Sequence, residues 1–140
     1  MDTKKYREAA GCIILWVDGN TNDKILLLRR SEHETSKHGL WELPGGKLEK
    51  KQTPKEAALQ ETLEEAGLEP LIIRTLKPHV DKKMKKIYHG FISRIKAKSI
   101  EVKLSEEHDK YSWMSVKEAM NMNDPLSHHA KFLFEQWKGK

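Results

Sequence analysis

Residues 39–68, GLWELPGGKLEKKQTPKEAALQETLEEAGL, hold the most informative pattern in the chain. Within it, Thr53-Pro54-Lys55-Glu56 has the composition of a helix start. The threonine hydroxyl can cap the backbone, proline suits the first helical position, and the glutamate completes a capping box. Gly67 is a residue type that commonly ends helices. The pattern therefore predicts a helix from about Pro54 to Ala66.

This helix carries Glu61, Glu64 and Glu65 within a sector about 100° wide. Like charges repel there, and they lie toward the end that the helix dipole disfavours. A divalent cation such as Mg²⁺, which binds carboxylates, water and phosphates, would explain the cluster, and a solvated acidic face is the alternative. The positions expected to pack against a sheet are Leu59, Thr62, Leu63 and Ala66. Ala57 and Ala58 are expected to leave open space beside the acidic sector.

Apolar runs around this helix predict a sheet. The predicted strands are Ala9–Val17, Lys24–Arg30, Leu40–Leu43, Leu71–Leu76, Ile87–Ile95 and a short one around Trp113. Asp18-Gly19-Asn20 predicts a turn that joins the first two strands as a hairpin. Lysines around Met84 are interpreted as a hairpin tip. Strands combined with an early and a late helix indicate an α/β domain with a mixed sheet.

Two more helices are predicted near the C-terminus. Ser115-Val116-Lys117-Glu118 matches a capping box that opens a short helix through about Met122. Asn123-Asp124-Pro125 predicts the start of a final helix. The residues that recur along it at helical spacing are Leu126, Ala130, Leu133, Phe134 and Trp137. His128 and His129 have no obvious metal partners in the sequence and are interpreted as surface or half-buried residues.

Composition narrows the class of protein. The 140 residues are expected to form one domain, 1–140, with a net charge of +5 and a pI of about 9.2. No run of eighteen apolar residues predicts a membrane span, and Met1–Arg7 lacks the apolar core of a secretory signal. A single cysteine, Cys12, fits a reducing cytoplasm. Because no zinc-finger, RNA-binding or helix-turn-helix pattern is present, nucleic acid is a minor alternative to a small-molecule phosphate ligand.

The segment GGKLEKKQTPKEAALQETLEEAGL resembles the signature of the MutT-like Nudix hydrolases. That signature is glycine, five residues, glutamate, seven residues, arginine, glutamate, an aliphatic, any residue, two glutamates, any residue, glycine and an aliphatic. The matching positions are Gly46, Glu61, Glu64, Glu65, Gly67 and Leu68. The resemblance implies an α/β/α sandwich around a mixed sheet, with a loop and helix after the Gly-Gly turn and a C-terminal helix.

Three positions depart from the signature. Gln52 replaces its glutamate, Gln60 its arginine and Thr62 its aliphatic residue. In the family, the first two side chains are expected to hold the loop against the helix. We predict that the two glutamines preserve this link as a neutral hydrogen bond. These departures leave Glu61, Glu64 and Glu65 in place, and their effect on the rate of catalysis is a question that the sequence leaves open.

The resemblance implies hydrolysis of a pyrophosphate bond in a nucleoside diphosphate linked to another group, with Mg²⁺ or Mn²⁺ as cofactor. Glu64 and Glu65 are predicted as direct metal ligands, and Glu61 as a ligand or as the group that orients water. The Gly46 carbonyl is a backbone ligand by analogy with the family. Gly45 and Gly46 are also predicted to contact substrate, because glycines allow the backbone to approach a ligand closely.

Two further segments supply candidates for the site. Ser105–Trp113 resembles an acidic loop that provides an extra carboxylate in many family members, and a polar surface loop is the alternative. Glu107 is the first choice for a general base, with Glu106 and Asp109 behind it. Arg29 and Arg30 end a strand, and one of the two is predicted to face inward toward phosphate, because neighbouring side chains alternate.

The substrate stays open at this level. Similarity around HGLWELPGGKLE favours (deoxy)nucleoside triphosphates, including oxidised ones, over nucleotide sugars and dinucleoside polyphosphates. Two other functions are consistent with the altered signature. One is a nucleotide-binding sensor with weak or no hydrolysis, and the other is an RNA 5′-pyrophosphohydrolase. A monomer and a homodimer are equally compatible with the sequence.

Overall fold

The computed structural model describes residues 5–17, 24–32, 34 and 37–138, so the predicted turn at Asp18-Gly19-Asn20 lies outside the described residues. The described strands are β1 (Arg7–Val17), β2 (Lys24–Arg30), β3 (Trp41–Glu42), β4 (Gly45–Lys47), β5 (Leu71–Thr75), β6 (His79–Asp81), β7 (Lys86–Lys96) and β8 (His108–Met114). The described helices are α1 (Pro54–Ala66), α2 (Val116–Asn121) and α3 (His128–Lys138). None of these helices has the length and apolar character needed to span a membrane.

The strands form one mixed sheet in the order β3-β2-β1-β7-β5. The central pair β1 and β7 is parallel along its whole length, from Arg7 opposite Lys86 to Val17 opposite Lys96. The other named strand pairs are antiparallel, with β4 on β1, β6 on β7 and β8 on β2. The predicted mixed sheet is therefore confirmed, and the lysine-rich segment forms the turn between β6 and β7.

Helices cover both faces of this sheet. Ile13 and Leu15 of β1 contribute to one core, which includes residues of α2 and α3. Cys12 and Ile14, which alternate with them, contribute to a second core that includes residues of α1. Alternate side chains of a strand point to opposite faces, so β1 is apolar on both sides because both sides are covered. The α/β/α sandwich is confirmed.

Helix α1 begins and ends where the sequence predicts. The Thr53 hydroxyl accepts a hydrogen bond from the Glu56 amide at 3.1 Å, and the Thr53 amide donates to the Glu56 carboxylate at 2.8 Å. Gly67 ends the helix in the left-handed conformation, with φ of 70°, which glycine adopts without steric cost.

The packing face of α1 differs from the prediction. Ala57 and Ala58 are buried rather than bordering open space, and Leu63 is 47% exposed rather than packed. Glu65 is only 4% exposed. Small alanines let the helix lie close to the sheet, and this orientation turns Glu65 inward and Leu63 outward. Thr62 and Ala66 are buried as expected.

The C-terminal part also corrects two predictions. Asn123-Asp124-Pro125 does not cap α3, which begins later. Ser127 caps it instead, because its hydroxyl accepts a hydrogen bond from the Ala130 amide at 3.1 Å. The Asp124 carboxylate accepts one from the Trp41 indole at 3.2 Å. Strand β8 begins at His108, so most of the predicted acidic loop is strand. The short strands β4 and β6 were not predicted, because glycines and isolated polar residues carry little strand signal.

Candidate active site

A cavity of about 630 Å³ lies where α1 and the Gly-Gly segment meet the beginnings of β8 and α3. Its acidic lining residues are Glu42, Glu61, Glu65 and Glu107. Its basic lining residues are Arg30, Lys37, Lys47, Lys86, His128 and His129. The cavity thus combines a carboxylate cluster with a set of cationic and imidazole side chains, a combination suited to a ligand that carries phosphates and a metal ion.

The glycine turn and the acidic helix are fitted to each other. The Gly45 amide donates a hydrogen bond to Oε1 of Glu65 at 3.0 Å. A Cβ atom at Gly46 would collide with the carboxylate of Glu61, and one at Gly45 would collide with the backbone of β1. Gly45 therefore requires glycine for close approach to β1, and a side chain at Gly46 would displace the carboxylate of Glu61. The predicted Gly-Gly segment and two of the predicted glutamates are brought together in one place.

Burial raises the pKa of both inward-facing glutamates. The pKa of Glu65 rises to about 9, chiefly because it is desolvated, although the hydrogen bond from Gly45 opposes the rise. The pKa of Glu61 rises to about 7, again first through burial and then through repulsion by Glu64 and Glu107. A carboxyl group in this condition is ionised at neutral pH when a cation compensates for its lost hydration.

Glu64 occupies a different environment from Glu65. Its side chain is exposed and is absent from the cavity lining. It lies close enough to Glu61 to share a hydrogen bond, and its Oε1 accepts another from Nε2 of Gln60 at 3.2 Å. The three predicted glutamates are therefore adjacent, with Glu65 buried, Glu61 half-buried at the cavity and Glu64 at its outer edge.

The acidic segment before β8 contributes Glu107. This residue lines the cavity, and one of its oxygens lies within 4.8 Å of a carboxylate oxygen of Glu65 and of a ring nitrogen of His108. The other two candidates are placed elsewhere. Asp109 forms a bidentate pair with Arg29, at 2.9 and 2.8 Å, and Glu106 is exposed and does not line the cavity.

The two arginines at the end of β2 diverge, as the alternation of strand side chains requires. Arg30 lines the cavity and contacts Glu34 at 2.6 Å and Glu42 at 3.3 Å. Arg29 is held by Asp109 and is not part of the lining. The structure thus brings one of the two, Arg30, to the cavity.

The predicted link between the two glutamines is present. Nε2 of Gln52 donates to Oε1 of Gln60, and Oε1 of Gln52 accepts from the Glu49 amide at 2.8 Å. Because Gln60 also donates to Glu64, a continuous set of hydrogen bonds runs from the loop to the acidic face of α1. A neutral amide pair therefore occupies the place of the glutamate and arginine of the signature.

The donor set fits a hard divalent cation. Glu61, Glu65 and Glu107 line one cavity with carboxylate oxygens, and burial raises the pKa of the first two. Mg²⁺ and Mn²⁺ prefer such oxygen ligands and accept phosphate oxygens beside them. Glu61 and Glu65 fit the implied cofactor, and Glu107 lies beside Glu65.

Sequence reasoning missed several residues at or beside the cavity. Glu42 lines it and accepts a hydrogen bond from the ring of the buried His108, at 2.8 Å. Glu42 lies only a few residues before the Gly-Gly turn, which is a signal that could have identified it. His128 and His129 also line the cavity, and His79 on β6 approaches them. That approach depends on how β6 and α3 pack, which residue spacing does not encode.

Comparisons with known proteins agree with this geometry. The family model described as NUDIX domain matches residues 5–136. The chain is 32% identical to the asymmetrical bis(5′-nucleosyl)-tetraphosphatase of Rattus norvegicus over 111 residues, covering 74% of this chain and 71% of that protein. It is 39% identical to the 8-oxo-dGTP diphosphatase of Proteus vulgaris over 69 residues, covering 49% of this chain and 56% of that one.

Among solved structures, the chain resembles a C. elegans Ap4A hydrolase in a binary complex. The TM-score is 0.75 and the identity 22%, and the match covers 94% of this chain and 96% of the other. This likeness supports the fold, and the family match spans nearly all of the chain. The chain therefore belongs to the Nudix family and is an enzyme of the class that hydrolyses acid anhydrides.

Proposed function

We propose that this protein is a divalent-metal-dependent hydrolase that cleaves a pyrophosphate bond within a nucleoside polyphosphate. The observation that carries the proposal is the division of one cavity into a carboxylate cluster and a cationic lining. A polyphosphate chain needs both, since metal ions and cationic side chains neutralise its charge while carboxylates hold the metal.

The carboxylates that would hold Mg²⁺ or Mn²⁺ are Glu61 and Glu65, with Glu64 at the outer edge and the Gly46 carbonyl as an additional oxygen donor. A bound divalent ion neutralises phosphate charge and acidifies water. Because Glu65 has a pKa near 9 without a cation, it must lose its proton to act as a ligand. Metal affinity should therefore increase with pH.

Glu107 is the proposed general base. Its position on the cavity lining beside Glu65 supports a role in accepting a proton from a water molecule that attacks phosphorus. The neighbouring His108 is buried, and its hydrogen bond to Glu42 fixes the orientation of its ring. The Ser31 amide donates a hydrogen bond to the Glu107 carbonyl at 2.9 Å, which holds the backbone at Glu107 in position. The base is thus attached to a fixed part of the fold.

Arg30, Lys37 and Lys86 are the proposed phosphate contacts on the cationic side. Lys86 is half-buried, and desolvation, followed by repulsion from Lys37 and Arg7, lowers its pKa. An ammonium group in this state is stabilised when an anion enters the cavity. Gly45 and Gly46 allow the substrate to approach the backbone closely.

Two kinds of nucleoside polyphosphate are the main candidates. Nucleoside triphosphates, including oxidised ones, are consistent with the residues around the Gly-Gly turn and with the Proteus relative. Dinucleoside polyphosphates are supported by the rat relative, which aligns over a larger share of the chain. The two differ in products, since a triphosphate yields a monophosphate and pyrophosphate, whereas a dinucleoside tetraphosphate split asymmetrically yields a mono- and a triphosphate.

The test is a substrate panel of triphosphates, oxidised triphosphates, dinucleoside polyphosphates, nucleotide sugars and 5′-triphosphate RNA, each with Mg²⁺ and with Mn²⁺. Products are separated by ion-exchange chromatography, and binding of the same ligands is measured in parallel. Turnover of one class identifies the substrate. Binding without turnover under every condition would instead indicate a sensor, and salt-sensitive action on RNA would indicate the RNA enzyme.

We further propose that residues 1–140 act as a single domain in the cytoplasm. The one cysteine, Cys12, is buried and free, and burial raises the pKa of its thiol, so it is an unreactive core residue that requires no oxidising compartment. Whether the domain acts as a monomer or a homodimer is determined by light scattering at the protein concentration used in the assay.

A further inference from the structure

Three histidines outside the acidic cluster meet beside the same cavity. His79 lies on β6, and His128 and His129 are the first two residues of α3. One ring nitrogen of each lies within 4.8 Å of one from each of the others. The ring centroids are 6.0 Å apart for His79 and His128, 5.7 Å for His79 and His129, and 4.1 Å for His128 and His129.

The nitrogens of this cluster are short of hydrogen-bond partners. Nδ1 of His79 and Nδ1 of His129 are buried and have none among the described residues. A buried polar atom without a partner is costly, so it is uncommon unless something else binds it. Burial lowers the pKa of His129 to about 3, so its ring is neutral and carries a free lone pair at neutral pH.

Neighbouring side chains hold the three rings in place. His79 stacks on Phe132, with centroids 4.0 Å apart and an interplanar angle of 14°. His129 stacks on Tyr88, at 4.5 Å and 7°. Nε2 of His128 lies 3.4 Å from the Asp81 carboxylate, which leaves Nδ1 of that ring for another partner. A carboxylate behind a histidine is the usual arrangement for orienting a metal-binding imidazole.

We propose that His79, His128 and His129 form a second metal site, which takes a transition-metal ion such as Zn²⁺ and is distinct from the oxygen-rich magnesium site. Imidazole nitrogens suit Zn²⁺, Co²⁺, Ni²⁺ and Cu²⁺, whereas carboxylate oxygens suit Mg²⁺ and Mn²⁺. Zinc binds nitrogen at about 2.0–2.1 Å, so the ring nitrogens need to close to about 3.4 Å from one another. Rotation of the exposed His128 side chain brings its nitrogen closer, and His79 and His129 must approach each other by sliding along the rings of Phe132 and Tyr88 on which they stack.

The position of the cluster gives this ion a role at the cavity. His128 and His129 line it, so a coordination position left open by three protein ligands faces the substrate space. Phosphate oxygen or water fits such a position. The nearby charges are mixed, since Asp81 favours a cation while Lys86 and Lys37 oppose it. The ion is therefore expected to bind more tightly when an anionic ligand is present.

The proposal is tested with Co²⁺ alone as the probe, on tag-free protein in a buffer that does not bind metals. The protein carries Glu61→Gln and Glu65→Gln, which disable the acidic site, so the result is independent of hydrolysis. Tetrahedral Co²⁺ with nitrogen ligands gives strong visible absorption, and Zn²⁺ should abolish that absorption by competition. We expect about one ion per chain.

In the same background, His128→Gln and His79→Gln should each weaken Co²⁺ binding at least tenfold and remove the visible band. His128 is largely exposed, so its substitution should leave the fold intact even if that of His79 does not. His38→Gln is the matched control, because His38 is exposed and outside the cluster, and it should bind Co²⁺ like the parent. Absence of a visible band in the parent, or unchanged binding in His128→Gln, would overturn the proposal.

Discussion

The glutamate cluster and the histidine cluster lie at the same cavity, and burial acts on them in opposite directions. Glu61 and Glu65 have raised pKa values, whereas the pKa of His129 is lowered, and desolvation is the first cause in each case. Both changes favour the neutral form. The difference lies in what each neutral group can then bind. A protonated carboxyl must lose its proton before it binds a metal, while a neutral imidazole is ready to do so.

The same comparison applies on a smaller scale to Glu64 and Glu65. They are adjacent in sequence, yet one is exposed and the other is 4% exposed and bonded to Gly45. A buried carboxylate interacts more strongly with a cation than an exposed one, because solvent screens it less. The contribution of each glutamate should therefore follow its burial rather than its place in the signature.

The largest effect is expected for Glu65→Gln, which should reduce turnover by about 10² to 10³, the scale of losing one buried electrostatic partner. Glutamine keeps an oxygen that can accept the Gly45 amide hydrogen bond, so the fold should persist. Glu64→Gln is the matched comparison, and its loss should be smaller. The measurement is product formation under saturating Mg²⁺. Equal losses in the two variants would show that burial does not separate their roles.

Glu107→Gln should reduce turnover by about a hundredfold, at the lower edge of the usual contribution of a general base. Nucleotide binding should change little, because the side chain is proposed to act on water. Glu106→Gln is the control, since Glu106 is the neighbouring acid outside the cavity lining. Steady-state rates are compared with binding measured by calorimetry. An unchanged rate in Glu107→Gln would direct the search for the base to Glu61.

Much of the fold was predictable, because it depends on local signals. The capping residues and Gly67 define both ends of α1, and apolar runs identify β1, β2 and β7. The face that α1 presents to the sheet was predicted correctly at Thr62 and Ala66 and incorrectly at Ala57, Ala58 and Leu63. The order of alanines and glutamates along α1 does not reveal which face of the helix meets the sheet. The contact that holds Glu65 inward comes from the Gly45 amide, twenty residues away in sequence.

In the candidate site, too, residues within local sequence patterns were predictable, and residues brought together by tertiary contacts were not. The glutamates of α1 belong to a spaced motif, and Glu107 belongs to a recognisable acidic segment, so all four were predicted from the sequence, and Glu61, Glu65 and Glu107 line the cavity. Glu42 and the histidine cluster were missed because their neighbours come from distant strands. His79 faces α3 only because β6 pairs with β7, placing His79 opposite Tyr88. No spacing in the sequence reports that pairing.

Mg²⁺ should stabilise the folded protein through the acidic site. At about a hundredfold excess over its dissociation constant, a ligand that binds only the folded state adds about 2.7 kcal/mol to the free energy of unfolding. The Glu61→Gln, Glu65→Gln double variant should lose most of this response. Thermal melts with and without millimolar Mg²⁺ measure it. Equal stabilisation of both proteins would mean that the ion binds outside the acidic cluster.

Without metal, the free energy of unfolding should fall as pH rises from about 7 to 8.5. Folded Glu65 keeps its proton up to a pKa near 9, whereas the unfolded chain releases it near the ordinary value of 4.5. Its stabilising effect is therefore complete below that lower value and is lost as pH rises through 9. The slope for one such group is about 1.4 kcal/mol per pH unit.

Urea denaturation in EDTA at several pH values measures this slope, with Glu65→Gln as the control. The pKa of His129 lies well below this range, whereas Glu61, with a pKa of about 7, adds to the slope near pH 7 in both proteins, so the contribution of Glu65 is read from the difference between the two slopes at the upper end. The variant should lose most of the pH dependence because glutamine does not titrate. Parallel slopes for the two proteins would show that the Glu65 carboxyl is already ionised when the metal-free protein is folded.

The smallest effect concerns the hydrogen-bonded glutamines that join the loop to α1. Restoring the charged residues of the signature with Gln52→Glu and Gln60→Arg replaces an exposed amide pair by an exposed ion pair, which contributes about 0.2–1 kcal/mol. The free energy of unfolding should therefore stay unchanged or rise slightly. Arginine also retains donors for the Glu64 carboxylate, which now accepts from Gln60 at 3.2 Å. The acidic face should keep its geometry.

A double-mutant cycle measures the interaction energy between residues 52 and 60 apart from their contacts with other residues. Each single variant breaks the pairing of the two side chains, and the double variant restores it as an ion pair. Gln60→Arg alone should be tolerated, since the new guanidinium group can form an ion pair with the Glu64 carboxylate. Gln52→Glu alone should cost more, because its carboxylate must face the amide oxygen of Gln60 unless that amide turns over, and such a turn would withdraw the donor from Glu64. Melting temperature and turnover are measured for all four proteins. A large loss of melting temperature in the double variant would show that the glutamines are held by contacts other than each other.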